Sequence, residues 1–281
     1  MKKASKTIIQ KHKEMFYPTV RVRTQKAGGS GTVVYSKEDD GQVYTYVVTN
    51  HHVIAECVQV EKKWDPILKK KIDKEILDTV FVEFFKYNNY SHCIGSFAVE
   101  ADIVAYSEVD GGQDWALLRT RDHESEYDFV ANMFPLDDLD SVHIFDEVYA
   151  VGASLGHPPI ATEGHICYMD DEIDHYKYWM STAQTIFGNS GGACYRWSKT
   201  RSVYEYIGVP SRISVQPMGF SADAITHMGY FIPIYRIYDL FKENGFEFVY
   251  DTDFTPKQCE ASREAKLKDE EKKAKSKKDD N

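Results

Sequence analysis

A serine hydroxyl becomes a nucleophile when a base takes its proton and donors await the oxyanion formed on attack at a carbonyl. Residues 187–192, Phe187-Gly188-Asn189-Ser190-Gly191-Gly192, could supply the donors. Glycines on both sides of Ser190 let the chain take positive φ and approach another backbone closely. In such a turn the N–H groups of Gly188 and Ser190 form the hole, and Asn189 shapes the turn. Taken alone, the motif also fits a glycine-rich turn around an ordinary serine.

The base would be a histidine oriented by a carboxylate. Two upstream segments have the right types. In Tyr46-Val47-Val48-Thr49-Asn50-His51-His52-Val53-Ile54 a β-run ends and histidine opens the next turn. In Gln113-Asp114-Trp115-Ala116-Leu117-Leu118 one acid leads into an apolar strand, where its carboxylate could be buried and fixed. Each segment has a rival. Neighbours at a strand-to-turn junction point opposite ways, so only one of His51 and His52 can face a site. Asp110 lies in Asp110-Gly111-Gly112, where a turn-forming role suffices.

His92, Cys93 and the His51–His52 pair lack helical or finger-like ligand spacing, so no metal site is expected. The five cysteines, Cys57, Cys93, Cys167, Cys194 and Cys259, are odd in number and contain no CxxC pair. They predict free thiols in a reducing compartment, with Cys194 in the core.

The elements that must position these residues are mostly strands. Segments 32–35, 44–49, 80–85, 101–106, 148–151, 178–182, 204–209 and 230–233 are rich in Val, Ile, Tyr and Phe, with Gly, Asn or Asp between them. Many short strands indicate a sandwich or barrels. Tyr235, Tyr238, Leu240 and Phe241 fall near helical spacing, and Asn244-Gly245 offers a stop. In residues 62–78, Ile67, Leu68, Ile72, Ile76 and Leu77 also fall roughly at helical spacing among charges. They predict an amphipathic helical insertion.

The net charge of −10 is uneven. Residues 1–14 carry +4 and residues 257–281 carry +2, so the body between carries −16. The reading is a basic N-terminal tail over 1–14, a folded body over 15–250 and a charged tail over 251–281. An acidic body is poorly suited to phosphate backbones, which excludes nucleic acid as a partner. No run of 18 apolar residues occurs, so no membrane span is expected. The start lacks a continuous apolar stretch, so no secretory signal is read and a cytoplasmic setting is expected, which a phage-encoded protein would share.

Taken together, these residues resemble the trypsin-like (chymotrypsin-fold) serine proteases, and within them the HtrA-type (Deg-type) branch. The likeness lies in the TNxHV pattern at Thr49–Val53, the DxALL pattern at Asp114–Leu118 and the GNSGG at Gly188–Gly192. Weaker matches are residues 28–34, 151–156, Gly208-Val209 and 229–233, so the resemblance spans roughly 17–245. It implies an all-β fold of two six-stranded antiparallel barrels, split near 125–145, followed by a C-terminal helix. It implies a serine endopeptidase with His52 as base, Asp114 as orienting carboxylate and Ser190 as nucleophile. Gly188, Asn189 and Ser190 would form the oxyanion hole. The chemistry implied needs no metal or organic cofactor, and the partner implied is a protein or peptide substrate. Oligomeric state is not legible.

Departures from the pattern narrow these expectations. Asn189 stands where secreted trypsin-like enzymes carry the Asp that pairs with a freed N-terminus. Phe187 stands where HtrA-type enzymes commonly carry Arg. The 36 residues after Gly245 are too few for the PDZ domain that often follows, and 62–78 has no counterpart. The resemblance places the substrate pocket at Gln184, Thr185, Ser211, Arg212, Ile213 and Gly229. With Gln184 rather than an acid six residues before the serine, cleavage after Lys or Arg is disfavoured and small or medium apolar side chains are expected. A different class of function, a catalytically silent scaffold of the same fold that binds peptides or assembles, stays open. An esterase would need a strand-Ser-helix elbow, whereas Gly191-Gly192-Ala193-Cys194-Tyr195 reads as a strand.

Overall fold

A computed structural model describes residues 6–65, 70–107, 113–218 and 221–279, with side chains at 7–63, 74–107, 113–216 and 223–269. In strand β1 (Thr19–Arg23) residues 20–23 alternate: Val20 and Val22 are fully buried, while Arg21 and Arg23 point outward. This period of two is the signature of a half-buried strand. It joins β2 (Gly28–Asp39), β3 (Gln42–Thr49), β6 (Val80–Asn88), β7 (His92–Tyr106) and β8 (Ala116–Thr120) in a closed barrel of order β1-β2-β3-β8-β7-β6. Val20, Val22, Val33, Val47, Val82 and Leu118 fill it.

A second sheet has seven strands: β9 (Asn132–Met133), β10 (Glu147–Gly152), β11 (Ile160–Ile173), β12 (Tyr176–Ser181), β13 (Ala193–Ser198), β14 (Val203–Met218) and β15 (Ser221–Pro233). Its order is β13-β10-β11-β12-β15-β14-β9, and β13 also pairs with β14. Strands β3 and β8 are buried on both faces. Val47 and Leu118 face the barrel interior, while Tyr46, Val48, Trp115 and Leu117 pack into the core of the second sheet. Burying one such side chain contributes about 1.5–3 kcal/mol, so these two strands bind the halves together. Among the described residues no helix is long and apolar enough to cross a membrane.

Among the described residues the helical insertion expected over 62–78 is not helical; Ile67 and Leu68 lie outside them. β4 (Val58–Asp65) and β5 (Lys70–Leu77) pair antiparallel as a two-stranded sheet of their own, with Val58 opposite Leu77 and Lys63 opposite Ile72. Ile72 and Ile76 stand four apart, which is about one helical turn but also an even number of strand positions. Periodicity alone therefore does not separate the two conformations. The expected helix near 235–244 is present as Ile234–Asn244. It is closed by Gly245 at φ 73°, a left-handed cap that glycine adopts without steric cost.

Described segments near both ends of the chain contact the body. Residues Lys6–Phe16 are helical, and Gln10 Nε2 donates to the Ser202 carbonyl while Lys11 Nζ donates to Tyr149 Oη, each at 2.8 Å. At the other end Pro256–Asp279 is a helix with Cys259 buried. Glu260 pairs with Arg119, and the Arg263 guanidinium lies 4.2 Å from the centre of the Phe246 ring.

Candidate active site

The β3–β8 register brings two of the singled-out residues together. Thr49 is paired with Ala116, so His52, just beyond the end of β3, faces Asp114, just before the start of β8. His52 Nδ1 lies 2.9 Å from Asp114 Oδ2 and 3.0 Å from Oδ1. The His52 backbone N–H also donates to Oδ1, at 3.0 Å. With Nδ1–H donated to the carboxylate, a neutral ring presents an unprotonated Nε2 on its far side.

Asp114 is held from several directions. It sits at φ 52°, a left-handed conformation that Asp tolerates better than most residues. Asn50 Nδ2 donates to its carbonyl at 2.7 Å, and Ser211 Oγ donates to Oδ2. Burial works to raise its carboxyl pKa. The hydrogen bond and charge of His52 and the bond from Ser211 outweigh burial and hold it below the usual carboxylate value. The group is therefore an anion at neutral pH.

His51 points the other way. It is buried, its ring lies 5.2 Å from that of Tyr106, and its Nε2 has no partner among the described residues. Burial lowers its pKa against the opposing pull of Asp114, so it stays neutral in the interior. Asp110, the rival acid, lies outside the described residues.

Ser190 comes from the loop between β12 and β13 and is fastened to the barrel through its backbone. Its carbonyl accepts from Ser30 N–H at 2.8 Å, and Thr49 Oγ1 donates to the Ser30 carbonyl at 2.7 Å. Gly191, at φ 84°, lies so close that a Cβ would stand 2.2 Å from the Ser30 carbonyl and 2.3 Å from Thr49 Oγ1. Only glycine fits there, and the fit carries the serine turn to the end of β3, where His52 begins its turn. Among the described residues no hydrogen bond joins His52 Nε2 to Ser190 Oγ. Such bonds are often long before substrate binds.

The turn before the serine is also pinned. Leu155 N–H donates to the Phe187 carbonyl at 3.0 Å, and Asn189 N–H donates to the Ile186 carbonyl at 3.0 Å. In a trans peptide the carbonyl and the following N–H point opposite ways. Holding the Phe187 carbonyl toward Leu155 therefore turns the Gly188 N–H to the other side. Neither Gly188 N–H nor Ser190 N–H is donated to a described residue. Asn189 is buried and accepts from Ser154 Oγ. Ser30 Oγ donates to the Gly188 carbonyl and accepts from Ala153 N–H.

The expected pocket residues separate into two groups. Thr185 is buried, and a Cβ on Gly229 would stand 2.6 Å from its Oγ1; Ile213 is the strand partner of Gly229. These three lie together. Gln184 is exposed, and its carbonyl accepts from Thr162 Oγ1. Arg212 is drawn to Asp174 at 2.7 Å, with its guanidinium 5.2 Å from the Tyr178 ring centre. Ser211 turns to Asp114. Its partnership with Asp114, and those of Ser154 and Leu155 with the serine turn, were not singled out from sequence. They connect residues far apart in the chain and carry no local pattern. Cys194 is buried, and burial raises its thiol pKa. Among the described residues no group of His, Cys, Asp or Glu is gathered to hold a metal ion.

A trypsin-like peptidase domain is matched over residues 29–203, and the chain belongs to that family. Two structures of the HtrA-type protease AlgW, each with a tripeptide, share its fold with a TM-score of 0.57 and 17% identity over 84% of this chain. The chain spans 62% of the length of those proteins. No curated protein matches it.

Proposed function

We propose that the chain is a serine endopeptidase acting through an acyl-enzyme. The observation that carries the reading is the carboxylate of Asp114, partly buried and held by Ser211, accepting from Nδ1 of an exposed His52 next to the serine turn. Ser190 Oγ attacks the scissile carbonyl carbon as His52 Nε2 takes its proton. The oxyanion is met by the N–H groups of Gly188 and Ser190. The C–N bond then breaks as His52 gives the proton to the leaving amine. Water, deprotonated by His52, attacks the ester, and the proton returns to Ser190 Oγ as the acid leaves.

The matching architecture is two barrels within residues 15–250. Pairing of β13 with both β10 and β14 supports a closed second barrel. Thr185, Ile213 and Gly229 would wall the pocket for the residue before the scissile bond, and the threonine filling the space beside Gly229 favours small or medium apolar side chains.

A second reading, a silent peptide-binding scaffold, is favoured by the missing His52–Ser190 hydrogen bond. A fluorophosphonate probe decides between them. The proposal expects labelling of the wild type, none of Ser190→Ala, and loss of peptide turnover in that variant with its fold intact. Undiminished turnover by Ser190→Ala, or an unlabelled wild type, would reject the nucleophile.

A further inference from the structure

We propose that a cavity beside Gly188, facing β1, is a subsite that prefers an acidic side chain within the first residues after the scissile bond. This rests on the peptidase reading above and names part of its substrate class. The cavity measures about 340 Å³ and is lined by Arg21, Arg23, Gly29, Leu155, Phe187 and Gly188, among others. Gly188 carries a candidate oxyanion donor. A Cβ on Gly29 would stand 3.0 Å from the Ser190 carbonyl, so the cavity adjoins the reacting centre. It contains none of Thr185, Ile213 and Gly229, the wall proposed for the residue before the bond. A peptide passing through the centre therefore leaves along this side.

The charge of the cavity is set by the alternation of β1, which puts Arg21 and Arg23 on its outer face. Among the described residues no acidic one lines the space. Behind it, Glu83 is the one carboxylate that both arginines share. Arg21 is fully engaged: Nε and Nη2 meet Glu83, and Nη1 donates to the Gly156 carbonyl. Arg23 is not. Its Nε lies 3.2 Å from Glu83 Oε2, its side chain is 46% exposed, and neither Nη group donates a hydrogen bond among the described residues.

Two guanidiniums against one carboxylate leave a net positive charge beside the centre of a protein whose overall charge is −10. A guanidinium fork with free Nη groups matches a carboxylate in two parallel hydrogen bonds. Phe187 and Leu155, which also line the cavity, are 69% and 66% exposed. They offer apolar cover to the methylene groups of a glutamate reaching toward Arg23.

The test uses internally quenched peptides carrying Glu, Gln or Lys at each of the three positions after the scissile bond. Full-length wild type should favour Glu over Gln at one of them by about tenfold in kcat/KM at low ionic strength. The ratio should shrink as salt rises, because an exposed pair is screened. Arg23→Gln should bring the ratio toward one, and Arg23→Glu should turn it toward Lys. Each ratio is taken within one enzyme preparation, so any general loss of activity cancels. Enzyme that is labelled by the fluorophosphonate probe yet shows no preference would overturn the subsite alone, as would a preference that survives Arg23→Gln. A wild type that is neither labelled nor active would overturn the peptidase reading and the subsite with it.

Discussion

Ser211 donates its hydroxyl to the same Asp114 oxygen that accepts from the His52 ring, although the serine and the aspartate are 97 positions apart. The bond crosses from the second sheet to the residue just before β8, so the orientation of His52 depends on how the two halves pack. Ser211→Ala should leave the fold intact and lower kcat by about ten- to a hundredfold, the range for a hydrogen bond to a charged group. KM should change less. Steady-state kinetics on one peptide measures both.

The same bond has a pH signature. Asp114 ionises in the native state below its unfolded value of about 3.9. A depressed carboxyl contributes stability that is present above the unfolded value and lost as pH falls through the native one. Ser211→Ala removes one of the interactions that depress it, so the acid loss of stability should begin at higher pH in the variant. Melting temperatures between about pH 2.5 and 5 provide the comparison. Superimposable acid limbs would show that Ser211 does not help hold the carboxylate.

Leu155 tests the hole. It sits at φ 52° and gives its N–H to the Phe187 carbonyl. Proline can supply neither that φ nor the N–H. Leu155→Pro should free the carbonyl and cost about 10²–10³ in acylation rate, the usual loss for one oxyanion donor. Leu155→Gly keeps the N–H and takes positive φ readily, so it should retain most of the labelling. Equal losses in the two variants would mean that the Leu155 side chain, rather than its N–H, is what matters.

Asn189 bears on activation. It is buried with Ser154 as its hydrogen-bond donor, an uncharged pair in place of an ion pair with a freed N-terminus. The uncleaved chain should therefore acylate, and intact mass spectrometry should find the probe on full-length protein. Adducts confined to chains trimmed near residues 15–20 would refute this. Asn189→Asp should lower the melting temperature, because the carboxylate would be buried beside a hydroxyl and not a cation.

The C-terminal helix should contribute unequally along its length. Ending the chain at residue 255 removes buried Cys259, the Arg263–Phe246 stacking and the Arg119–Glu260 pair. A drop on the order of 5 °C is expected, given that about 1 kcal/mol moves a domain of this size by a few degrees. Ending it at residue 269 leaves those contacts and should shift the midpoint by less than about 1 °C. Differential scanning calorimetry of the two truncations shows which part of the helix contributes to stability.

Most of the strands were legible because a short run rich in Val, Ile, Tyr and Phe, bounded by Gly, Asn or Asp, is a local signal that each segment carries by itself. Glycine at 188 and 191 and the order of His52, Asp114 and Ser190 were legible for a related reason: each lies in a short pattern at the end of an apolar run. The segment at 62–78 was misread because a separation of four suits a helical face and a strand face alike, and only the ladder between β4 and β5 chose between them. What the tertiary structure alone decided is that Ser211 reaches the Asp114 carboxylate, that Leu155 turns the Gly188 peptide, and that Arg21 and Arg23 compete for one Glu83. Each is a contact between residues far apart in the chain. The physical reason is that hydrophobic periodicity specifies the face of an element, whereas hydrogen bonds and ion pairs between elements depend on register and packing that no single segment encodes.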